Sequence, residues 1–159
     1  MANTTFSGPV ISKNGFIGFG PGMSVNINST GLGAQGLNLT VNDHAGKLLI
    51  SQDADGIYTL PSINTNANGV TAGTTDYNNL NNIGATFTFY VDTTATDVQI
   101  QTDGVDKFTG AAMIAVDDGA KKAFFPAAAN DVLSMNGTTT GGIVGSVIQI
   151  TALESAQYL

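Results

Sequence analysis

Short runs of alternating apolar and polar residues constrain the fold of this chain more than any other feature. The clearest run covers residues 85–91, ATFTFYV, in which the apolar side chains fall at every second position. The same period of two appears over residues 24–28 and 37–41. Because successive side chains of a strand point to opposite faces of a sheet, these runs predict half-buried β-strands.

Further strands are predicted where short apolar runs are bounded by Gly, Asn and Asp. They cover residues 47–51, 57–60, 98–102, 111–116, 131–135 and 147–153. The segments QDADG and NGTTTGG contain residues that favour tight turns, so we expect 47–51 to form a hairpin with 57–60, and 131–135 with 147–153.

The run 111–116 and the aromatic residues Phe87, Phe89, Phe124 and Phe125 are expected to be buried. No segment predicts an amphipathic helix, and residues 126–130 could form one turn.

About nine short strands separated by turns predict an all-β fold, a single antiparallel β-sandwich or barrel. Residues 23–159 are expected to form this one domain.

Residues 62–82 are polar, rich in Gly, Asn and Thr, and lack periodicity. A loop of this length inside a domain is usually functional, so we predict that it projects from the surface. The exposed loop positions of interest are Asn66, Asn68, Tyr77 and Asn78.

The first 22 residues differ from the rest because Gly, Pro and Phe are scattered through them without a period. We therefore predict an extended N-terminal arm over residues 1–22. Its apolar side chains would be unusual on a purely solvated segment, so the arm is expected to dock on a capsid or neighbouring subunit surface. The candidate contact residues are Phe6, Pro9, Val10, Ile11, Phe16, Ile17 and Phe19.

The charge balance restricts the possible partners. Five basic residues stand against 12 acidic ones, which gives a net charge of −7. An acidic chain without arginine is poorly suited to nucleic acid or to an anionic lipid surface. No apolar run approaches the roughly 20 residues that span a bilayer, and the opening MANTTFSG lacks the features of a signal peptide. We expect no nucleic acid and no membrane as partners, and synthesis in a cytoplasm followed by assembly.

Residues that could support catalysis or bind a cofactor are sparse. His44 is the only histidine and lies in the turn-like NDHAG, so we interpret it as a turn residue. Residues 31–36, GLGAQG, match the dinucleotide fingerprint in letters, but they lead into a strand rather than a helix. Asp53, Asp55 and Gly56 resemble the start of a calcium loop without its later ligands. We therefore expect no enzyme, no metal, no cofactor and no small-molecule substrate.

Two parts of the chain resemble a known class of proteins. Residues 6–16, FSGPVISKNGF, resemble the start of small virion structural proteins of marine and cyanobacterial tailed phages. Residues 46–50, 59–61 and 142–159 resemble the GK strand, the TLP strand end and the closing segment of a β module in phage structural proteins. Tyr158 stands where such modules commonly carry Trp.

This resemblance implies a homotrimeric β protein clamped on the outside of the capsid lattice, with an N-terminal arm that often reaches across a subunit boundary. Its partners would be the major capsid protein and further copies of itself, and its location the capsid exterior of the virion. We therefore expect a capsid decoration (cement) protein. The alternative is a fibre or tail-associated module in which residues 62–82 bind a host surface receptor. The lack of repeats or a coiled-coil stem favours decoration.

Overall fold

The computed structural model describes residues 23–33, 36–64, 82–115, 121–154 and 156–159. The predicted N-terminal arm, with its seven candidate contact residues, lies outside these described residues. The same is true of residues 65–81, which contain the four candidate positions of the polar loop. The described residues therefore comprise the β domain and the base of that loop.

The described residues are built from strands, which confirms the all-β prediction. The strands are β1 Ser24–Ile27, β2 Leu37–Asn38, β3 Leu48–Ser51, β4 Ile57–Thr59, β5 Thr86–Val91, β6 Val98–Gln101, β7 Lys107–Phe108, β8 Ala112–Ala115, β9 Lys121–Phe124, β10 Val132–Met135, β11 Val147–Glu154 and β12 Gln157–Tyr158. A single helical turn, α1, covers Val41–His44. No described helix is long and apolar enough to span a membrane.

The strands form three sheets. The first has six strands in the order β1-β3-β5-β11-β12-β7, and the second has four in the order β10-β6-β4-β2. The third is a two-stranded ribbon of β8 and β9, paired antiparallel with Ala112 opposite Phe124 and Met113 opposite Ala123. Because each larger sheet ends in edge strands instead of closing on itself, the prediction of a barrel is wrong.

The prediction of a purely antiparallel fold is also wrong. The pairs β1–β3 and β3–β5 are parallel in the first sheet, and so are β2–β4 and β4–β6 in the second. The reason is that the chain alternates between the two sheets from β1 to β6, so neighbours within a sheet are two strands apart in sequence. QDADG therefore carries the chain from one sheet to the other, and the hairpin predicted there does not form.

The second predicted hairpin is absent for a similar reason. β10 pairs with β6 in the four-stranded sheet, whereas β11 pairs with β5 in the six-stranded sheet. NGTTTGG does turn, because the side chain of Asn136 accepts hydrogen bonds from the backbone N–H groups of Thr138 and Thr139 at 3.1 and 2.9 Å. A tight turn thus marks a change of sheet here, which local sequence does not distinguish from a hairpin.

The strand predicted over residues 37–41 ends early. Thr40 Oγ1 accepts a hydrogen bond from the backbone N–H of Asp43 at 3.2 Å and thereby caps α1. A threonine side chain that bonds to the local backbone competes with the strand ladder. β2 is therefore two residues long, and Val41 begins a helical turn instead of extending the strand.

One hydrophobic core is shared by the two larger sheets. Phe87 and Phe89 of β5 are buried, as predicted, and so are Tyr58 of β4 and Ile100 of β6. The rings of Tyr58 and Phe89 lie 6.0 Å apart between centroids. The Tyr58 hydroxyl lies 2.8 Å from Ser51 Oγ, and burial raises the pKa of Tyr58 to about 12. A neutral hydroxyl pair thus bridges β3 and β4 inside the core.

The prediction of burial is wrong for the β8–β9 ribbon. Met113 in β8 is 80% exposed, and Phe124 and Phe125 at the end of β9 are also exposed. Within the run AAMIAV, Ala112–Ala115 form a strand as predicted, but among the described residues this strand pairs with β9 alone and joins neither larger sheet. Its apolar composition therefore marks a surface rather than a core.

Candidate functional site

The histidine is engaged in local structure. The backbone N–H of Thr40 donates a hydrogen bond to His44 Nδ1 at 2.9 Å, so this nitrogen is an acceptor. The hydroxyl of Thr40 donates to Asp43 Oδ2 at 2.9 Å in the same helical turn. Among the described residues, no group of three or more His, Asp or Glu side chains is placed to hold a metal ion. His44 therefore serves the helical turn, as the sequence indicates.

Asp53 joins two connections between the sheets. Its Oδ2 accepts hydrogen bonds from the backbone N–H and the hydroxyl of Ser29, and its Oδ1 accepts one from Thr30 Oγ1 at 3.0 Å. The side chain is buried. Both carboxylate oxygens thus brace the β1–β2 connection against the β3–β4 connection, which agrees with the interpretation of Asp53 as a turn residue.

The base of the polar loop is braced by Asn82. Its side-chain amide donates to Ser62 O at 2.8 Å, and its side-chain oxygen accepts from the backbone N–H of Asn64 at 2.7 Å. The backbone N–H of Asn82 also donates to Asn64 O at 3.0 Å. Asn82 itself is buried. The residues on either side of the segment 65–81 are thereby hydrogen bonded to each other.

Two aspartates support the same base from the β6–β7 connection. Ser62 Oγ donates to Asp103 Oδ2 at 2.6 Å, and the backbone N–H of Ile63 donates to Asp106 Oδ2 at 2.8 Å. Asp103 also accepts hydrogen bonds from the backbone N–H groups of Val105 and Asp106 at 2.9 and 3.0 Å. The loop base is therefore hydrogen bonded on both of its sides.

These carboxyl groups have pKa values shifted in opposite directions. Burial opposes ionisation of Asp103, but the hydrogen bonds from Ser62 and from the Asp106 and Val105 backbone hold its pKa below the ordinary value. Burial, followed by the charge of Asp103, raises the pKa of Asp106. Asp103 thus contributes stability that is lost as pH falls through its folded pKa, whereas the contribution of Asp106 increases as pH falls. The titrations of Asp103 and Asp106 therefore change the stability of the loop base in opposite directions as pH falls.

Replacing Asn82 by alanine is expected to open the loop base. The change leaves Ser62 O and the Asn64 N–H without their side-chain partner, which costs about 1–3 kcal/mol for buried groups. The backbone amides of Ile63 and Asn64 should then exchange with solvent about 5–100 times faster, as measured by NMR hydrogen exchange. Asn28→Ala removes a single exposed hydrogen bond to Thr30 and serves as the control. Equal exchange rates in the two variants would contradict the proposed bracing.

An open cavity of about 640 Å³ lies between the ribbon and the larger sheets. We call it the apolar groove. Its wall on one side is the β8–β9 ribbon with Phe125, and on the other side β10 and the first half of β11. Phe108, Leu159 and several residues of the adjoining turns also line it. Several of the lining side chains are exposed to solvent, among them Met113, Phe125, Val132, Val147 and Leu159.

The described residues that line the apolar groove carry no charge. They are apolar residues, glycines and neutral polar residues, with neither Asp, Glu, Lys nor His among them. The nearest ion pair joins Lys107 Nζ to Asp131 Oδ2 at 2.8 Å, in positions that directly precede the groove residues Phe108 and Val132. The hydrogen bond from Lys107 holds the pKa of Asp131 below its usual range, which maintains the pair. A protein with a net charge of −7 thus presents a concave surface whose described lining has no ionisable side chain.

The residues of the apolar groove were not selected by the sequence interpretation. All of the predicted contact residues fall in the arm and in the loop, outside the described part of the chain. The signal in the sequence is the run AAMIAV together with Phe124 and Phe125, and this composition predicts core strands. An apolar strand that pairs only within a two-stranded ribbon looks the same in sequence as a buried strand.

Comparisons with protein-family models, with curated proteins and with solved structures find no match to this chain.

Proposed function

We propose that this chain is a capsid decoration (cement) protein of a tailed phage, bound to the outside of the major capsid lattice, where it stabilises the head. The observation that carries the proposal is the charge-free apolar groove with its exposed ribbon. Exposed apolar surface of this kind is typical of proteins that are covered by other proteins. The resemblance of residues 6–16 and 142–159 to phage virion proteins supplies the identity of the partner.

The proposed architecture is a β-sandwich of the six-stranded and four-stranded sheets. Support comes from the contact between Tyr58 and Phe89, which lie in different sheets. The hydroxyl pair of Ser51 and Tyr58 makes a second connection of the same kind.

The mechanism follows from binding several capsid subunits at once. Association of copies into a trimer, which the resemblance implies, would let one assembly grip the lattice at several points. The second and third contacts then form at a high effective concentration, so internal DNA pressure must break several contacts together. A net charge of −7 would complement basic patches on a capsid lattice, and such a contribution would weaken with added salt.

The proposal assigns no catalytic step, cofactor, nucleic acid or small-molecule substrate to the chain. The engagement of His44 and Asp53 in local hydrogen bonds supports this assignment, because both side chains already have structural partners. In the proposed life cycle the protein is made in the host cytoplasm and then binds to the capsid exterior of the virion.

Mixing the purified full-length chain with undecorated phage heads and sedimenting the heads tests the proposal. Saturable co-sedimentation, with many copies per head, is the expected result. Replacing Phe16 and Phe19 by aspartate is expected to weaken binding by at least about tenfold, because each buried Phe contributes about 1.5–3 kcal/mol. Leu32→Asp, which changes a turn position in the β1–β2 connection, serves as the matched control. Heads that sediment without the wild-type chain would contradict decoration.

A fibre or tail-associated module that binds a host receptor is the second candidate. The braced base of the polar loop favours it, because Asn82, Asp103 and Asp106 hydrogen bond to Ser62 and Ile63 just before residues 65–81. Such bracing is typical of loops that present a recognition surface on a rigid scaffold. Binding to whole host cells, without binding to heads, would support this second candidate.

A further inference from the structure

Strand β1 has one edge without a partner among the described residues. It lies at the end of the six-stranded sheet and pairs there with β3. On the β3 side, Met23 O accepts a hydrogen bond from the backbone N–H of Leu48 at 2.9 Å. Because successive residues of a strand direct their N–H and C=O groups to opposite sides, those of Ser24 and Asn26 lie on the outer edge. No described residue hydrogen bonds to these outward groups.

The outer edge of β1 is suited to another strand. Proteins protect exposed edges with very short strands, with charged side chains or with bulges. The opposite edge of the same sheet has such protection, because β7 is two residues long and contains Lys107. β1 has four residues, SVNI, in continuous register with β3 and with none of these features. An unblocked row of backbone donors and acceptors recognises an extended peptide segment.

The position of the chain end selects which segment is available. The N-terminal part of the chain outside the described residues stops at residue 22, directly before Met23. In residues 20–23, GPGM, Pro21 and Gly22 occupy the central positions, which is the sequence of a type II turn. Hairpin loops commonly have about two to five residues, so residues 16–19, FIGF, can return along the edge of β1. A segment tethered this closely has a far higher effective concentration than any other chain.

The register of such a hairpin matches the burial pattern of β1. A return through residues 20–23 places four pairs of residues opposite each other: Phe19 and Ser24, Gly18 and Val25, Ile17 and Asn26, and Phe16 and Ile27. The pairs with Ser24 and Asn26 are then the hydrogen-bonded ones, because these two residues carry the outward groups. Residues directly opposite share a face of the sheet. Phe16 therefore joins the core face of Ile27, which is 1% exposed, and Ile17 lies beside the exposed Asn26.

We infer that residues 16–19 fold back onto β1 as an antiparallel strand and extend the six-stranded sheet by one strand. The inference deepens the proposed function, and its consequence for capsid binding rests on that function. The arm before residue 16 is thereby anchored at the edge of a sheet. Phe6, Pro9, Val10 and Ile11 then reach a capsid subunit from this fixed edge.

Hydrogen exchange of the full-length chain, followed by NMR, tests the inference without any capsid. The Ser24 and Asn26 amides are expected to be protected in the wild type. Ile17→Pro removes the N–H that donates to Asn26 O in this register, so both amides should exchange faster by about tenfold or more. Ile11→Pro makes the same change outside the paired segment and should leave both rates unchanged. The Leu48 amide, which bonds to the other edge of β1, should keep its rate in both variants.

Cysteine pairing identifies where the added strand comes from, since the natural chain contains no cysteine. Opposite residues of a pair that is not hydrogen bonded have Cα atoms about 4.5 Å apart, which a disulfide can span. The double variant Gly18→Cys with Val25→Cys is therefore expected to form a disulfide within one chain on oxidation. Gly8→Cys with Val25→Cys is the control and should form none within the chain.

Three results would overturn the inference. The first is a wild type whose Ser24 and Asn26 amides exchange without protection, and the second is protection that survives Ile17→Pro. The third is a disulfide that joins two chains, because the added strand would then come from a neighbouring copy.

The two proposals fail in different ways. If the chain binds heads but the outer amides of β1 are unprotected, decoration stands and the hairpin is wrong. If the amides are protected and the disulfide forms within the chain but heads sediment without it, the hairpin stands and decoration is wrong.

Discussion

Tyr158→Ala is expected to lower the free energy of unfolding by about 3–5 kcal/mol, the cost of deleting a large buried ring. Tyr158 is fully buried although it is the penultimate residue of the chain. It lies in β12, which pairs antiparallel with β11 on one side and parallel with β7 on the other. Its ring packs against Phe108 with 6.4 Å between centroids, and its hydroxyl donates to Pro61 O. One side chain thus connects the chain end to the edge strand and to the start of the polar loop.

The effect is large compared with the total stability of a domain, about 5–15 kcal/mol. Urea denaturation should therefore show a clearly lower midpoint, and the melting temperature should fall by about 6–20 °C. Tyr158→Phe keeps the ring and removes the hydrogen bond to Pro61, so a loss of only about 0.5–1.5 kcal/mol is expected. Leu153→Ala, at an exposed position of β11, is the surface control. A loss for Tyr158→Ala no greater than that for Leu153→Ala would show that the chain end is not part of the core.

The strands themselves are predictable from this sequence because period-two alternation directly reflects burial on one face. Residues 86–91 illustrate this, since Phe87, Phe89 and Val91 are all buried in β5 while the residues between them are partly exposed. Partners of strands are not predictable in the same way. QDADG and NGTTTGG have the turn chemistry of hairpins, yet each carries the chain to the other sheet. Whether the two strands next to a turn pair with each other depends on which other strands, distant in sequence, can pair with the same strand edge. The local sequence does not contain this information.

The candidate surface was missed for a related reason. The residues AAMIAV have the composition of a core strand, and burial depends on whether another sheet covers them. In the described part of the chain β8 pairs with β9 alone, and Met113 is 80% exposed. The bracing of the polar loop by Asn82 was also hidden, because its partners Ser62 and Asn64 lie about 20 residues away. Polar contacts over such distances follow from the fold and cannot be read from spacing.

Gly36→Ala is the second prediction with a large expected effect. Gly36 has φ of +58°, a conformation that favours glycine, and it directly precedes β2. A Cβ atom at this position would overlap the backbone carbonyl of Ile57 in β4, the strand with which β2 pairs. The backbone strain costs about 1–3 kcal/mol and the overlap about 1–3 kcal/mol more. A total loss of about 2–6 kcal/mol in the free energy of unfolding is expected, measured by urea denaturation.

Gly33→Ala separates the two contributions. Gly33 has φ of +76°, but a Cβ atom there would meet nothing within 4 Å. It should therefore show the conformational cost of about 1–3 kcal/mol without the overlap. If both variants lost the same stability, the close approach of Gly36 to β4 would be refuted. The backbone N–H of Leu39 donates to Thr59 O at 2.8 Å. If Gly36→Ala increases the hydrogen-exchange rate of this amide and Gly33→Ala does not, the loss of stability is localised to the β2–β4 pair. Gly36, the last glycine of GLGAQG, would then be required for the packing of β2 against β4. This structural role explains the glycine without a nucleotide-binding function.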